Sequence, residues 1–155
     1  YAKNTANISQ KVYLRERPHD IEGKDKMLWW IPIIMTSEDN LDFKNSTPIT
    51  WLKNIREMEQ SLTVASDKFI IVNYEEIGPF PVNYDEENWN RLASFLQTKK
   101  GRETIPVYTR AKLLHDSWNL AYAGKLSFAT ALNMTLFMKS ERNHLVWNPI
   151  FTVNI

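Results

Sequence analysis

The spacing of the apolar residues changes at Asp85, and this change limits the possible folds more than any other feature of the sequence. Before Asp85, short β-branched segments such as residues 68–74 alternate with polar loops, which is typical of antiparallel strands. After Asp85, four apolar residues recur at the spacing of one helical face: Trp89, Leu92, Ala93 and Leu96. We therefore predict an antiparallel, Ig-like β-sandwich over residues 1–85, followed by a segment of α-helical hairpins over residues 86–155.

Five segments of the first half are predicted to form strands. They are residues 8–14, 27–36, 49–64, 68–74 and 79–84. Residues 27–36 carry apolar side chains at both alternating sets of positions, so we expect a central strand that is covered on both faces. At Pro32, which has no N–H group to donate, we expect a bulge or an edge position. Residues 49–64 fit both a strand and a short helix, and their β-branched start and strand-rich surroundings favour the strand. Gln10 interrupts the apolar alternation of the first segment.

Three helices are predicted from Asp85 onward. Asp85 is the candidate N-cap of the first helix, because its carboxylate can accept a hydrogen bond from a backbone N–H group that has no partner within the helix. Two glutamates follow it in the first turn, where the helix dipole favours negative charge. Residues 99–101 supply a basic last turn and a glycine stop. Thr104 would cap the second helix, which ends at Gly124, and the third helix begins at Ser127.

The residue types in this chain do not form a catalytic set. There is no cysteine, which excludes a thiol nucleophile, and the net charge of +1 gives no reason to expect a nucleic-acid partner. The three histidines, His19, His115 and His144, lack a second histidine at metal-ligand spacing. Asp116 follows His115, but neighbouring side chains of a helix point in different directions, which favours a structural or surface role. We therefore predict no catalytic, cofactor-binding or metal-binding residue, and we interpret the tryptophans as core residues.

Three sequons point to the secretory pathway. Asn7, Asn45 and Asn133 each begin an Asn-X-Ser/Thr triplet with a permitted middle residue. Each asparagine is therefore a candidate N-glycosylation site, and Asn45 is the best candidate because it lies in a polar loop. The sequons favour an extracellular or lumenal location.

Six blocks of the sequence carry a family resemblance in their order and spacing. They read ISQKVYL, WWIPI, WL, VNYDEENW, IPVYTRAKLLHDSWNLA and ALNMTLFMKSER, and they begin at residues 8, 29, 51, 82, 105 and 131. This set resembles the aminopeptidase N family of gluzincin zinc metallopeptidases over essentially the whole chain. The sequence departs from the family pattern at Pro79 and Pro81, which replace a tyrosine and an arginine, and at Ser117, which replaces an alanine. The two prolines remove hydrogen-bond donors from the last predicted strand.

The resemblance implies a position within a larger enzyme. In this family a small β-sandwich leads directly into a large C-terminal helical domain, and the catalytic domain, which holds the zinc, lies upstream. The expected role of the chain is therefore non-catalytic: it spaces the catalytic domain from the helical domain in a membrane-anchored protein that removes N-terminal residues from peptides. The alternative is an extracellular recognition surface bound by a toxin, an antibody or a virus.

The same resemblance implies the partners. They are the remaining domains of the parent aminopeptidase, with no cofactor in this chain and zinc in the catalytic domain of the parent. Because the family's helical domain is larger than residues 86–155, we also expect apolar helical surface to be uncovered and to allow self-association. The residues expected to be exposed are Leu114, Trp118, Leu132, Leu136 and Phe137.

Overall fold

The computed structural model describes residues 5–13, 23 and 26–152. Its first half consists of short strands in antiparallel pairs. The strands are β1 Thr5–Ser9, β2 Trp30–Ile33, β3 Met35–Ser37, β4 Thr50–Lys53, β5 Glu57–Ser61 and β6 Ile70–Val72. β1 pairs with β5, β2 pairs with β4, and β3 pairs with β6.

The strand pairs form three separate two-stranded sheets within the described residues. The chain leaves one sheet for another at Ile34, between β2 and β3, and again at Asn54, whose left-handed backbone (φ 54°) separates β4 from β5. These two switches keep each pair short. Antiparallel strands followed by helices are confirmed, but two packed sheets of an Ig-like sandwich are not seen among these residues.

Two of the strand predictions are wrong, and a third is displaced. The strand predicted over residues 8–14 is Thr5–Ser9, and residues 10–13 form no strand. Residues 27–36 are not covered on both sides, because Trp30 is 65% exposed and Trp29 is also exposed. Residues 79–84 form no strand, since Pro79 and Pro81 cannot donate to a ladder. By contrast, residues 49–64 contain β4 and β5, so the strand interpretation of that segment is confirmed over the helical one.

Gln10 interrupts the apolar alternation because its side chain links two sheets. Its Nε2 donates to the carbonyl oxygens of Trp29 (3.0 Å) and Ile55 (2.7 Å), and its Oε1 accepts from Trp29 N–H (2.8 Å). The residue is buried. One amide therefore joins the end of β1 to the start of β2 and to the turn between β4 and β5.

The second half is helical. The helices are α1 Glu86–Gln97, α2 Lys99–Thr104, α3 Val107–Tyr122, α4 Phe128–Thr135 and α5 His144–Thr152, with a 3₁₀ helix over Leu136–Ser140. The predicted end of α3 is confirmed by Gly124, which has a positive φ of 68°. The predicted start of α4 is confirmed by Ser127, whose Oγ accepts from Thr130 N–H.

The region between α1 and α3 differs from the prediction. Residues 99–101 do not end α1, because Thr98 closes α1 and then caps α2 by accepting a hydrogen bond from Gly101 N–H. Thr104 is the last residue of α2 rather than the cap of α3, and Pro106 occupies the cap position of α3. A proline there needs no donor, since the first N–H groups of a helix have no partner within it.

The larger of two apolar clusters in the described residues joins the strands to the helices. Ile34, Phe69, Ile71 and Tyr74 from the strand region contact a set of helical residues that includes Trp89, Leu92, Leu114, Met134 and Phe137. The predicted boundary at residue 85 therefore crosses a continuous core, and the division into residues 1–85 and 86–155 stays a prediction. Among the tryptophans, Trp89 is fully buried, whereas Trp29, Trp30, Trp51 and Trp147 are exposed. The interpretation of these four as core residues is wrong.

The exposed helical surface differs in part from the expectation. Leu114 and Phe137 are buried in the core, but Leu132 and Leu136 are each 54% exposed. They lie four residues apart, so they share one side of the chain from α4 into the 3₁₀ helix. Self-association through this surface stays a prediction.

Candidate functional site at the strand-to-helix junction

The structure brings no metal-binding group together. Among residues 5–13, 23 and 26–152, no three His, Cys, Asp or Glu side chains are placed to hold a metal ion. His115 and His144 are exposed on α3 and α5, and His19 lies outside the described residues. The described side chains thus do not fit the zinc that the resemblance assigns to the catalytic domain. The best-organised polar site is instead the junction between β6 and α1.

Asn88 of α1 pairs with the backbone of β6 as a neighbouring strand would. Its Oδ1 accepts from Ile70 N–H (2.9 Å) and its Nδ2 donates to Ile70 C=O (3.0 Å). The side chain is 1% exposed. Ile71 faces Thr36 of β3, so the groups of Ile70 point away from β3 and would otherwise be buried without partners.

Two further side chains extend this pairing along the same edge. The Tyr84 hydroxyl accepts from Val72 N–H (2.9 Å) and lies 3.4 Å from Val72 C=O, while Arg91 Nη1 donates to Lys68 C=O (3.3 Å). The contacted residues 68, 70 and 72 are every second residue of the segment, so their backbone groups point to the same edge, as in a ladder. Tyr84, Asn88 and Arg91 therefore take the place of a strand, and we call them the side-chain ladder.

Asp85 holds the first turn of α1 next to this ladder. Its Oδ1 accepts a hydrogen bond from Asn88 N–H at 2.7 Å, and its backbone is extended, as at an N-cap. The cap therefore fixes the backbone of the same residue whose side chain contacts Ile70. Sequence reasoning identified Asp85 but missed Asn88. The sequence did offer a signal for Asn88: it is a polar residue four positions before Leu92, on the otherwise apolar face of α1.

The loop after β6 is closed by a second buried asparagine. Asn73 has a left-handed backbone (φ 54°), and its amide contacts both Gly78 and Phe80: Nδ2 donates to the two carbonyl oxygens, and Oδ1 accepts from Gly78 N–H. A Cβ at Gly78 would lie 2.1 Å from the Phe80 ring, so any other residue would require this ring to move. This loop occupies the position where the last strand was predicted.

Asp116 of α3 contacts the segment that leads into α1. Its Oδ2 accepts from Val82 N–H at 3.0 Å and forms a buried ion pair with Lys112. His115 Nδ1 is 3.9 Å from Asp116 Oδ1, which is longer than a hydrogen bond. The carboxylate is therefore engaged in positioning α3 against residues 79–85, and the pair of adjacent residues is not a catalytic dyad.

A second buried ion pair connects α3 to the chain after the 3₁₀ helix. Arg110 Nε donates to Glu141 Oε2 at 2.8 Å, and both side chains are less than a tenth exposed. Glu141 Oε1 also accepts from the backbone N–H groups of Arg142 and Asn143. Burial acts to raise the pKa of Glu141, but the hydrogen bonds and the positive charge of Arg110 outweigh it and hold this pKa below its ordinary value.

The three sequon asparagines lie in different settings. Asn45 is exposed in the loop between β3 and β4, Asn7 is exposed within β1, and Asn133 is half-buried in α4. Asn133 Nδ2 donates to Asn90 Oδ1 of α1 at 3.2 Å. The structure does not bring these three residues together, and none of them takes part in the side-chain ladder.

Comparison with known proteins finds similarity along most of the chain. The family described as ERAP1-like C-terminal domain matches residues 69–153. Aminopeptidase N of Rattus norvegicus is 33% identical over 150 residues, that of Bos taurus 34% over 149, and that of Homo sapiens 30% over 148. Each alignment covers 93% of this chain and 14% of the relative, so the chain spans about a seventh of the length of these proteins. The family match begins one residue before β6, and so includes the ladder.

Replacing Asn88 by alanine is expected to lower the free energy of unfolding by about 2–4 kcal/mol, because it leaves the buried N–H and C=O groups of Ile70 without partners. Urea unfolding followed by circular dichroism measures the change. Ser94→Ala, on the exposed side of α1, is the control and should change stability by less than about 0.5 kcal/mol. Equal losses for the two variants would show that the ladder contributes nothing.

Asp85→Ala should destabilise the chain by about 0.5–2 kcal/mol, because the first turn of α1 loses its cap. Asp85→Asn keeps a side-chain acceptor and should lose less. Urea midpoints of the two variants and the wild type test this. A wild-type midpoint for Asp85→Ala would contradict a capping role.

The Arg110–Glu141 pair should make the free energy of unfolding depend on pH in the acidic range. Since the pKa of Glu141 is lower when folded, its contribution is present above the unfolded pKa of about 4.5 and is lost as the pH falls through the folded pKa. Glu141→Gln leaves Arg110 without a counterion and should cost on the order of 3 kcal/mol at pH 7. Thermal melts from pH 7 to 3 should show wild type and variant converging in acid. Parallel curves would contradict the assignment.

Proposed function

This chain belongs to the ERAP1-like C-terminal domain family, and on that premise we propose that it is a non-catalytic structural segment of a membrane-associated zinc aminopeptidase. The full-length protein would remove N-terminal residues from peptides. The chain would space the catalytic domain from the helical domain. The family match and the aminopeptidase N relatives support this proposal.

The observation that carries the spacer role is the side-chain ladder. A spacer transmits a fixed geometry only when the two halves that it joins do not rotate about the connection. Two side chains bond to β6 and a third bonds to Lys68 just before it, and one apolar cluster includes residues on both sides of residue 85. The junction therefore has no free hinge between β6 and α1.

The catalytic chemistry would come from outside this chain. Zinc in the catalytic domain of the parent would act as the Lewis acid of peptide hydrolysis. The residues described here contribute to that reaction only through position, by holding the helical domain at a set distance and direction. The proposed partners are accordingly the remaining domains of the parent protein.

We further propose that the three strand pairs belong to a larger β-sandwich in the full-length protein. The two positions where the chain changes sheet, at Ile34 and Asn54, support this idea, because strands that pass between sheets form the corners of sandwiches. Trp30 and Trp51 are exposed on neighbouring strands, where a second layer would cover them.

The proposed location is the extracellular or lumenal face of a membrane. The three sequons and the similarity to aminopeptidase N support it. Among the described helices, none combines the length and the apolar character that crossing a bilayer requires.

The second candidate is a recognition surface for an external protein. The face of the β2–β4 pair favours it, since Trp30 and Trp51 are exposed and the Lys53 ammonium lies 5.8 Å from the centre of the Trp30 ring. Aromatic residues are enriched where proteins bind each other. If this face contacts another domain of the parent, a Trp30→Ala/Trp51→Ala variant should destabilise the full-length protein. If it binds an external protein, the variant should leave stability unchanged and abolish that binding.

The spacer role is tested in the full-length protein with Asn88→Ala. Long peptides must fit between the two domains, so loosening the junction should lower kcat/KM for their cleavage by about ten-fold. Cleavage of a single-residue amide, which contacts the catalytic domain alone, should stay as in the wild type. Ser94→Ala is the control for both substrates. A full-length protein without zinc-dependent aminopeptidase activity would overturn the proposed enzyme, and equal effects on both substrates would overturn the spacer role.

A further inference from the structure

A groove separate from the side-chain ladder lies between three elements of the chain. Its walls come from α3, from α5 and from a short 3₁₀ helix over Tyr74–Glu76, which follows β6. The volume of the groove is about 450 Å³, which is within the range of pockets that hold small ligands. Because three elements form the walls, the groove is a product of the tertiary fold and not of one local turn.

Two adjacent glutamates form the acidic wall of the groove. Glu75 and Glu76 are both exposed, and both have a left-handed backbone (φ 61° and 54°). Asn73 holds this turn in place: its carbonyl oxygen accepts from Glu76 N–H at 3.2 Å, and its amide closes the loop on Gly78. Neither glutamate forms an ion pair with a residue that the structure describes. Two carboxylates without a counterion therefore lie on a wall whose backbone is fixed.

The walls from the two long helices are aromatic and apolar. Tyr108 and Ala111 lie three residues apart on one face of α3, and Tyr108 is 66% exposed. Leu145 and Pro149 lie four residues apart on one face of α5. Pro149 has no N–H group, so the carbonyl oxygen of Leu145 lacks the donor that a helix normally supplies four residues later. The α5 wall therefore adds a backbone acceptor without its usual partner.

The charges that line the groove leave it negative. Lys112 also lines it, but the Lys112 ammonium pairs with the Asp116 carboxylate, and both side chains are buried. These two charges offset each other. His115 lines the same helix face and adds no charge in its neutral form. The two glutamates are therefore unbalanced, so a cationic ligand is complementary to the groove and an anionic ligand is repelled.

Among cations, a guanidinium group fits these walls best. Within residues 5–13, 23 and 26–152, no three His, Cys, Asp or Glu side chains are placed to hold a metal ion. An ammonium group is compact and strongly hydrated. A guanidinium group is flat and weakly hydrated, pairs with carboxylates through parallel hydrogen bonds, and stacks on aromatic rings.

We therefore propose that the groove between α3 and α5 binds an arginine side chain of a separate polypeptide. The guanidinium group would pair with the carboxylates of Glu75 and Glu76, and its flat face would lie against the exposed ring of Tyr108. The methylene groups would contact the apolar surface of Leu145 and Pro149. This binding site does not depend on the spacer role or on the activity of the full-length protein.

Saturation-transfer difference NMR on the full-length protein tests the proposal, since this method detects weak ligands of large proteins. The probe is the tripeptide Gly-Arg-Gly with an acetylated N-terminus, which leaves no free amino group for an aminopeptidase. We expect a Kd on the order of 1 mM, with an affinity that falls as salt is added. The same peptide with citrulline, which has nearly the same shape but no charge, should bind about ten-fold more weakly. A lysine peptide should bind about three-fold more weakly.

Two sets of variants locate the site. Glu75→Gln together with Glu76→Gln should weaken binding of the arginine peptide by about ten-fold. Glu57→Gln together with Glu59→Gln removes the same charge from exposed positions of β5 and is the matched control, which should bind as the wild type does. Tyr108→Ala should weaken binding by about three-fold, whereas Tyr108→Phe keeps the ring and should keep the affinity. All five positions are exposed, so the melting temperature should stay unchanged.

The outcomes that contradict the proposal are separate from those that contradict the spacer role. No binding of the arginine peptide, equal binding of the citrulline peptide, or equal weakening by the two glutamine pairs would overturn the site. Binding that the groove variants leave unchanged would place the peptide elsewhere and overturn it as well. The spacer role is tested by the cleavage of long peptides in Asn88→Ala, and none of these binding results affects it.

Discussion

Strand β6 has two edges with backbone hydrogen-bonding groups, and the rest of the structure depends on how the second edge is satisfied. β3 pairs with one edge, Tyr84 and Asn88 pair with the other, and Arg91 extends that pairing to Lys68, two residues before β6. Since buried backbone groups without partners are costly, these contacts favour the observed position of α1 next to the strand. That position also places Trp89 and Leu92 in the core, so hydrogen bonding and apolar packing select the same arrangement.

Three buried amides perform the same physical task at different points of the chain. A carboxamide carries a donor and an acceptor, so it can pair with a backbone N–H group and a backbone C=O group at once. Gln10 does so with Trp29, Asn73 with Gly78, and Asn88 with Ile70. The strand pairs are short, and these side chains supply the connections that longer strands would have made.

The features that sequence reasoning predicted are local ones. The change of period at Asp85, the glycine at the end of α3 and the start of α4 at Ser127 each depend on residues within one or two turns. The helix boundaries around Thr98 and Thr104 were missed although they are local. The other features that it missed depend on distant partners. Asn88 was visible as a polar residue in an apolar stripe, but Ile70, its partner, is 18 residues away, and Glu141 is 31 residues from Arg110. The exposure of Trp30 was missed for the same reason, because apolar composition does not say what covers a strand.

The ladder also sets an order of events during protein synthesis. Ile70 leaves the ribosome before Asn88, which follows it by 18 residues. At typical rates of translation this interval lasts roughly 1–4 seconds, during which the second edge of β6 has no partner of its own chain. The strand half therefore cannot complete its folding as an early, independent unit. It waits for the start of the helical half, so a nascent chain stalled before Asn88 would present an open strand edge to chaperones.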